Sequence, residues 1–235
     1  MAKKYEDSFS HTFWEFLPGI IKALSAVAIV ILLFLITTVS TSKSDGYEYA
    51  KDFVRDYSVK VGKADSNVKV VYFYDLQCPG CQKNDPILTE VREKYKDRVQ
   101  FVYRNFPLSI HTFSKPAARG AQAAAAQGFD KYFKYKDEVF ANQSQISTDI
   151  IRNAAEKSGV DMEKWQKDMS STEIIRQVEW DLRDASSTMA PNEQGVMKPI
   201  SGTPATLLIK DGKIVEQFSA IPAAEFEQKL DKLLQ

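Results

Sequence analysis

The sequence predicts an α/β domain with a helical stretch inserted into a sheet-forming frame, behind an apolar N-terminal segment. Three observations carry this expectation. The run Val68 to Cys81, VKVVYFYDLQCPGC, is apolar, β-branched and aromatic, and it stops at two cysteines two residues apart, where a strand gives way to a helix. From Ser114 to about Ser187 the pattern turns to helical periods with helix start and stop signals. Near the C-terminus two apolar runs flank Asp211 and Gly212, a pair that favours the tight turn of a β-hairpin.

Residues 23–39 carry no charge, and with Ile20 and Ile21 the apolar stretch approaches the roughly 20 residues that span a bilayer. The expectation is a cytoplasmic tail over 1–19 and a transmembrane anchor over 20–40. Lys3, Lys4 and Lys22 precede the span and Lys43 follows it, so the positive-inside rule places the N-terminus in the cytoplasm and the rest of the chain outside. A cleaved signal peptide is the alternative. The long leader and the lack of an A-x-A-like site after Leu35 favour an uncleaved anchor. Residues 41–58 read as a polar linker, Thr41 to Gly46, and a short amphipathic helix in which Tyr47, Ala50, Phe53, Val54 and Tyr57 recur at helical spacing.

The domain proper is expected over 59–235. Val59 to Val61 suits a short first strand, and residues 64–67 are turn material. The central strand and a helix from Cys78 to about Tyr95 follow, then RVQFVYRNF, where Val99, Phe101 and Tyr103 alternate as in a strand. Strand, helix and strand make a crossover, which calls for parallel strands and a right-handed connection. The helical insertion covers about 112–190. Ser114 and Pro116 start it, Gly128 stops its first helix, and an aromatic-rich helix runs through Phe140. Thr148 reads as the N-cap of the next helix, Asp161 caps another, and Thr172 opens a longer one reaching about Ser187. Tyr132, Phe133, Tyr135, Phe140 and Trp165 are assigned to the core. Ala190 to Pro199 reads as a loop. Leu207 to Lys210 and Ile214 to Phe218 form the hairpin, and Pro222 starts a final helix with Phe226, Leu230 and Leu233 on one face.

With 31 basic and 31 acidic side chains the formal net charge is zero, which suggests no nucleic-acid partner. Cys78 and Cys81 are the only cysteines. Thiolate, not thiol, attacks a disulfide, and a cysteine in the first turn of a helix has unpaired N–H groups and the positive end of the helix dipole to favour its thiolate. Pro79 suits an early helical position. Cys81, one turn on, can resolve a mixed disulfide formed at Cys78, so the redox-active dithiol needs no further cofactor. Other readings of the pair stay open. Structural zinc needs about four ligands, whereas the chain adds only His11 and His111 to the two thiols. A structural disulfide gains little from so short a loop. A Cu(I) carrier would suit soft thiolates, but no histidine or methionine cluster accompanies them.

The cysteine segment, together with SGTPATLLI at Ser201 to Ile209, resembles the DsbA-like branch of the thioredoxin superfamily. Pro86, eight residues after Cys78, matches a helix-kinking proline of that branch, and FPLSIH at Phe106 to His111 with the alanine-rich run after it is similar to the start of its helical insertion. The resemblance covers roughly Val59 to the C-terminus. It implies a thioredoxin-like fold with an inserted α-helical subdomain and thiol-disulfide oxidoreductase activity on cysteine-containing proteins outside the cytoplasm. Formation of disulfides is expected ahead of reduction or isomerisation, with recycling by a membrane redox partner, DsbB-like or VKOR-like. It also implies that Pro204 is a cis-proline facing Cys78 and that the backbone of Thr203 pairs with the substrate chain. One position departs from the pattern: many relatives carry a buried acid six residues before the first cysteine, and here that residue is Tyr72. Asp75 reads as a solvated or capping acid, and His111 as a surface or helix-start residue.

Overall fold

The computed structural model describes residues 53–235. The expected tail, anchor and most of the linker lie outside the described residues. Among those described, no helix is long and apolar enough to cross a membrane.

The apolar run before the cysteines becomes β2, Val68–Tyr74, in which every residue except Lys69 is buried. Burial on both faces makes it the middle of a five-stranded sheet in the order β1-β3-β2-β6-β7. Here β1 is Val59–Gly62, β3 Gln100–Asn105, β6 Ala205–Lys210 and β7 Lys213–Phe218. As the crossover rule requires, β2 and β3 are parallel; β1 on β3, β6 on β2 and β7 on β6 are antiparallel. Asp211 and Gly212 take φ of 51° and 77° in the β6–β7 turn, the left-handed pair that their sequence favours.

Strand alternation divides the core in two. Val70, Tyr72 and Tyr74 of β2 face one cluster with Leu88 and Val91 of α1, Pro79–Tyr95, and with Phe226 and Leu230 of the last helix. Val71 and Phe73 face the other, with Phe53, Val102, Leu207 and Ile214. The insertion supplies α2, Ser114–Ala125, α3, Phe129–Ala141, α4, Thr148–Ser158, α5, Met162–Met169, and α6, Thr172–Ser187. Alanines at 117, 121, 123 and 124 are fully buried, so neighbouring helices approach α2 closely. Gly120 belongs to the same surface: a Cβ there would lie 2.3 Å from the Tyr135 hydroxyl. Tyr132, Tyr135, Phe140 and Trp165 are buried as expected, and Phe133 packs against them. The final helix is α7, Ala223–Leu233.

Four expectations need correction. Residues 53–58 form turns rather than a helix, because their side chains are anchored individually. Phe53 packs edge-on against Phe73, Arg55 pairs with Asp184, and Tyr57 donates to Asp181. The N-cap of α4 is Ser147, whose hydroxyl accepts from the Ile150 N–H at 3.2 Å; Thr148 is the first helical residue. The stretch read as a loop at 190–199 contains a small hairpin, β4 Met189–Pro191 and β5 Met197–Pro199. It closes through Asn192, whose side chain accepts from the N–H groups of Gln194 and Val196, and it is tied to β7 by Gln217. The prolines sit at the ladder ends, where a missing N–H costs little. Finally, Asp75 is 2% exposed, so it is not solvated.

One polar cluster crosses the second core. Arg104 of β3 is fully buried, pairs with Asp181 and Asp184 of α6, and thereby fastens the insertion to the sheet.

Candidate active site

Beyond Tyr74, residues 75–77 turn the chain from the end of β2 into α1. Cys78 is the N-cap residue of α1, with φ −80° and ψ 119°, and Pro79 is its first helical residue. The turn is held from both sides. The Cys78 N–H donates to the Asp75 carbonyl at 3.0 Å, and Gln143 from the insertion donates its amide to the carbonyls of Leu76 and Cys78 at 2.8 and 3.1 Å.

Both cysteines are free thiols here and close to one another, the arrangement of a CxxC-type oxidoreductase site. Their environments differ. Cys78 is 8% exposed, and its thiol donates to the Thr203 carbonyl oxygen at 3.3 Å. Its pKa is lowered to about 5, chiefly because Cys81 donates a hydrogen bond to it; the Thr203 hydroxyl and the N–H groups of Cys81 and Gly80 act in the same direction against the cost of burial. Those two N–H groups belong to the first turn that the N-cap side chain faces, and that of Cys81 also donates to the Cys78 carbonyl at 3.0 Å. Cys81 is wholly buried, and burial holds its thiol far above the ordinary range. The Asp75 N–H donates to its sulfur at 3.4 Å.

The Thr203–Pro204 peptide is cis, as the resemblance implied. The loop lies directly on the dithiol turn: a Cβ on Gly80 would sit 3.2 Å from Pro204 Cδ and 3.6 Å from Cys78 Sγ, so glycine permits the approach. The site residues expected from sequence, Cys78, Cys81, Thr203 and Pro204, are thus brought together. Tyr72 is buried in the same core cluster as Cys81, and its hydroxyl accepts from the Asn84 side-chain amide at 3.4 Å.

Sequence reasoning missed the support beneath this turn. The Asp75 carboxylate accepts from the N–H groups of Gln77 and Leu108, from Ser114 Oγ and from His111 Nδ1, the last at 2.7 Å. His111 is therefore a partner of the site and lines a cleft of about 580 Å³ with Gln77, Pro79, Gln82 and Gln143. A second cleft, of about 320 Å³, lies beside Thr203 and Pro204. The pattern D-x-Q before the first cysteine, in which an aspartate can accept from the N–H two residues on, was the available signal. Among the described residues, no group of three or more His, Cys, Asp or Glu side chains is placed to hold a metal ion.

Comparison with known proteins agrees with this geometry. The chain is 31% identical over 166 residues to the probable disulfide bond formation protein D of Bacillus cereus, covering 66% of this chain and 75% of that protein. It is also 32% identical over 127 residues to the Na(+)/H(+) antiporter NhaA 1 of Mycobacterium sp. (strain KMS), and there it spans only 20% of the antiporter's length against 53% of its own. Among solved structures, the thiol-disulfide exchange protein alpha-DsbA2 of Wolbachia pipientis shares the fold with a TM-score of 0.64 at 18% identity, over 79% of this chain and 91% of that one. The catalytic domain of Proteus mirabilis ScsC does so with a TM-score of 0.62 at 17% identity, over 79% and 94%. The thioredoxin family model matches residues 55–231, which takes in the cysteine turn, the helical insertion and the cis-proline loop, and the chain belongs to that family.

Proposed function

We propose that this protein is a membrane-anchored thiol-disulfide oxidoreductase that introduces disulfides into cysteine-containing proteins outside the cytoplasm. The observation that carries the reading is the asymmetry of the dithiol: an N-cap thiol that keeps 8% exposure and is lowered to about 5, beside a wholly buried partner one turn further on. Cys78 is the nucleophile, because its thiolate is formed at neutral pH and reachable, and Cys81 is the resolving thiol. Thr203 offers its backbone to an extended substrate segment beside Pro204, in the manner of an added strand. Holding Cys78 as thiolate stabilises the reduced protein and makes the disulfide a better oxidant. The name carried by the Bacillus cereus relative, disulfide bond formation, supports the same direction. Recycling then requires a DsbB-like or VKOR-like membrane partner that takes electrons from the reduced pair, and the apolar span at 20–40 supports placing the domain at such a partner's membrane.

The test is to equilibrate the protein with glutathione buffers and to assay both oxidation of a reduced, unfolded disulfide protein and reduction of insulin. Oxidation with a potential well above the thioredoxin value of about −270 mV is expected. A potential near that value with insulin reduction alone would make the protein a reductase.

A further inference from the structure

The insertion meets the first turn of α1 beside Cys78, and the cleft between them presents hydrogen-bonding atoms whose orientation is fixed. Gln143 donates its amide nitrogen to the carbonyls of Leu76 and Cys78, and Gln82 donates its own to the Phe140 carbonyl. A carbonyl only accepts, so both amides are held by their nitrogens and both Oε1 atoms are left over. His111 Nδ1 meets the Asp75 carboxylate at 2.7 Å and must carry the hydrogen of that bond; in the neutral ring Nε2 is then an acceptor. None of these three acceptors has a hydrogen-bond partner among the described residues, and none is shut off from solvent, so they open on the cleft that their residues line. Gln77 is the converse: its Oε1 accepts from the Phe113 N–H, which leaves an amide donor. The ion pair that a lining residue makes is His111 with the buried Asp75 carboxylate, so the charge behind the cleft wall is negative.

We propose that this cleft is a substrate subsite for a basic side chain, arginine first, carried within two residues of the substrate cysteine that joins Cys78. The assignment rests on the dithiol-disulfide exchange reading given above and adds a preference among substrates to it. Three acceptors against one donor call for a donor-rich group, and a guanidinium offers a rigid fork of N–H groups with no acceptor of its own. A carboxylate would find only the Gln77 amide as a partner and would face the Asp75 charge. Because bonds to the backbone or to Asp75 already hold the acceptors, engaging them freezes little further side-chain freedom. The position of the subsite follows from the turn. Pro79, which directly follows Cys78, lines this cleft, whereas Thr203 reaches the Cys78 sulfur from the cis-proline loop. The cleft beside that loop shares no residue with this one, so a substrate paired along Thr203 has room to place a neighbouring side chain here. The exchange itself is unchanged. A substrate thiol ionises to solvent and its thiolate attacks Cys78 Sγ; the Cys78–Cys81 bond breaks with its electron pair on Cys81, which takes a proton from solvent. The second substrate thiol then ionises and attacks the first substrate sulfur, expelling Cys78 as thiolate. The substrate dithiol is oxidised, the protein disulfide is reduced, and one proton remains in solvent.

The experiment mixes the oxidised full chain in stopped flow with dicysteine peptides that differ only in the residues beside the first cysteine, arginine, glutamine or glutamate. Each rate is divided by that of the same peptide with 2-hydroxyethyl disulfide, an uncharged reference that removes the effect of the flanking charge on the thiol itself. Hydrogen bonds to a charged group, discounted for an open cleft, are expected to leave the arginine peptide about tenfold faster than the glutamate peptide, with glutamine between. Gln82→Leu removes one acceptor without changing charge and should bring that ratio to about threefold. Ser144 lines the cleft and is exposed; Ser144→Lys should bring the ratio to about one, and Ser144→Glu should raise it above the wild-type value. A wild-type ratio near one overturns the subsite. A ratio that Gln82→Leu leaves at the wild-type value overturns it as well, because the preference then comes from surface charge and not from the cleft's acceptors. If Gln82→Leu does not fold, the two Ser144 variants decide, and equal ratios in them refute the assignment. A wild-type protein that oxidises none of the peptides overturns the functional reading itself, whereas an active wild type indifferent to the flanking residue removes only the subsite.

Discussion

Replacing Cys81 by alanine tests the origin of the Cys78 acidity. The largest contribution to the low pKa is the hydrogen bond from Cys81, and the Thr203 hydroxyl and the N–H groups of Cys81 and Gly80 survive the change. A hydrogen bond to a charged group contributes about 1.5–3 kcal/mol, or roughly one to two pKa units. Cys78 is therefore expected to rise from about 5 to roughly 6–7, still below the free-thiol value of about 8.5. Ultraviolet thiolate absorbance against pH, with the disulfide-reduced wild type as reference, measures both values. The same depression is a stability term. The folded value lies below the unfolded one, so the reduced protein gains stability as pH rises above about 5, holds the full gain above the ordinary thiol value, and has lost it below about 5. At pH 7 the gain is about 1–3 kcal/mol, reduced from the full shift because part of the titration lies above that pH and because Cys78 opens to solvent. The corresponding contribution to the potential is roughly 20–60 mV. Denaturant melts of reduced and oxidised protein at pH 7 and pH 4 should show the reduced form losing this advantage in acid. A wild-type Cys78 pKa at or above that of a free thiol, or an unchanged pKa in Cys81→Ala, would refute the reasoning.

Changing Thr203 to valine removes the hydroxyl while keeping shape, and should raise the Cys78 titration by less than Cys81→Ala does; a larger rise would reverse the order of contributions. Arg104→Met leaves two buried carboxylates short of a partner and should cost about 3–5 kcal/mol in a urea melt, and a loss below about 1 kcal/mol would show that the cluster does not fasten α6 to the sheet. Gly120→Ala drives a methyl into the Tyr135 hydroxyl and should destabilise by about 1–3 kcal/mol, with a melting midpoint at the wild-type value counting against close α2–α3 contact. The full chain should fractionate with membranes and resist carbonate extraction; recovery of a soluble form beginning near residue 40 would show a cleaved leader instead.

The parts of the fold that the sequence made legible are those where a period or a turn chemistry has one structural solution. An unbroken apolar strand ending at a cysteine turn reads as the sheet centre, and Asp211 with Gly212 admits little besides a tight hairpin. The misreadings share a different cause. The hairpin at 189–199 has strands of three residues, too short to display alternation, and its closing signal is the Asn192 side chain rather than a run of residues. Ser147 and Thr148 are both good caps, and a one-residue choice between them depends on backbone angles that composition does not encode. At residues 53–58 a helical period exists, but Phe53 packs on Phe73 of β2 and the partners of Arg55 and Tyr57 lie more than a hundred residues away on α6, and tertiary contact overrides the local pattern.

In the site, the dithiol and the cis-proline loop were visible because each is contiguous, whereas the residues that give the two cysteines opposite chemistry are not. One turn of helix separates Cys78 from Cys81. That step carries the side chain from the open N-cap, where the Gly80 and Cys81 N–H groups converge on a sulfur, to the interior face that packs on β2, where burial dominates. The neighbours at the second position, Tyr72 and Asp75, precede Cys81 by nine and six residues; alternation along β2 fixes the direction of Tyr72, but the turn after Tyr74 breaks the period before it reaches Asp75. Asp75 is therefore turned away from solvent by contacts with His111 and Ser114, which only the folded insertion supplies. Because the same residue gives its N–H to Cys81 and its carbonyl to the Cys78 N–H, the insertion acts on both sulfurs through one residue. The reactivity of the CPGC turn is accordingly a property of the sheet and insertion together, and the spacing of its cysteines alone does not set its potential.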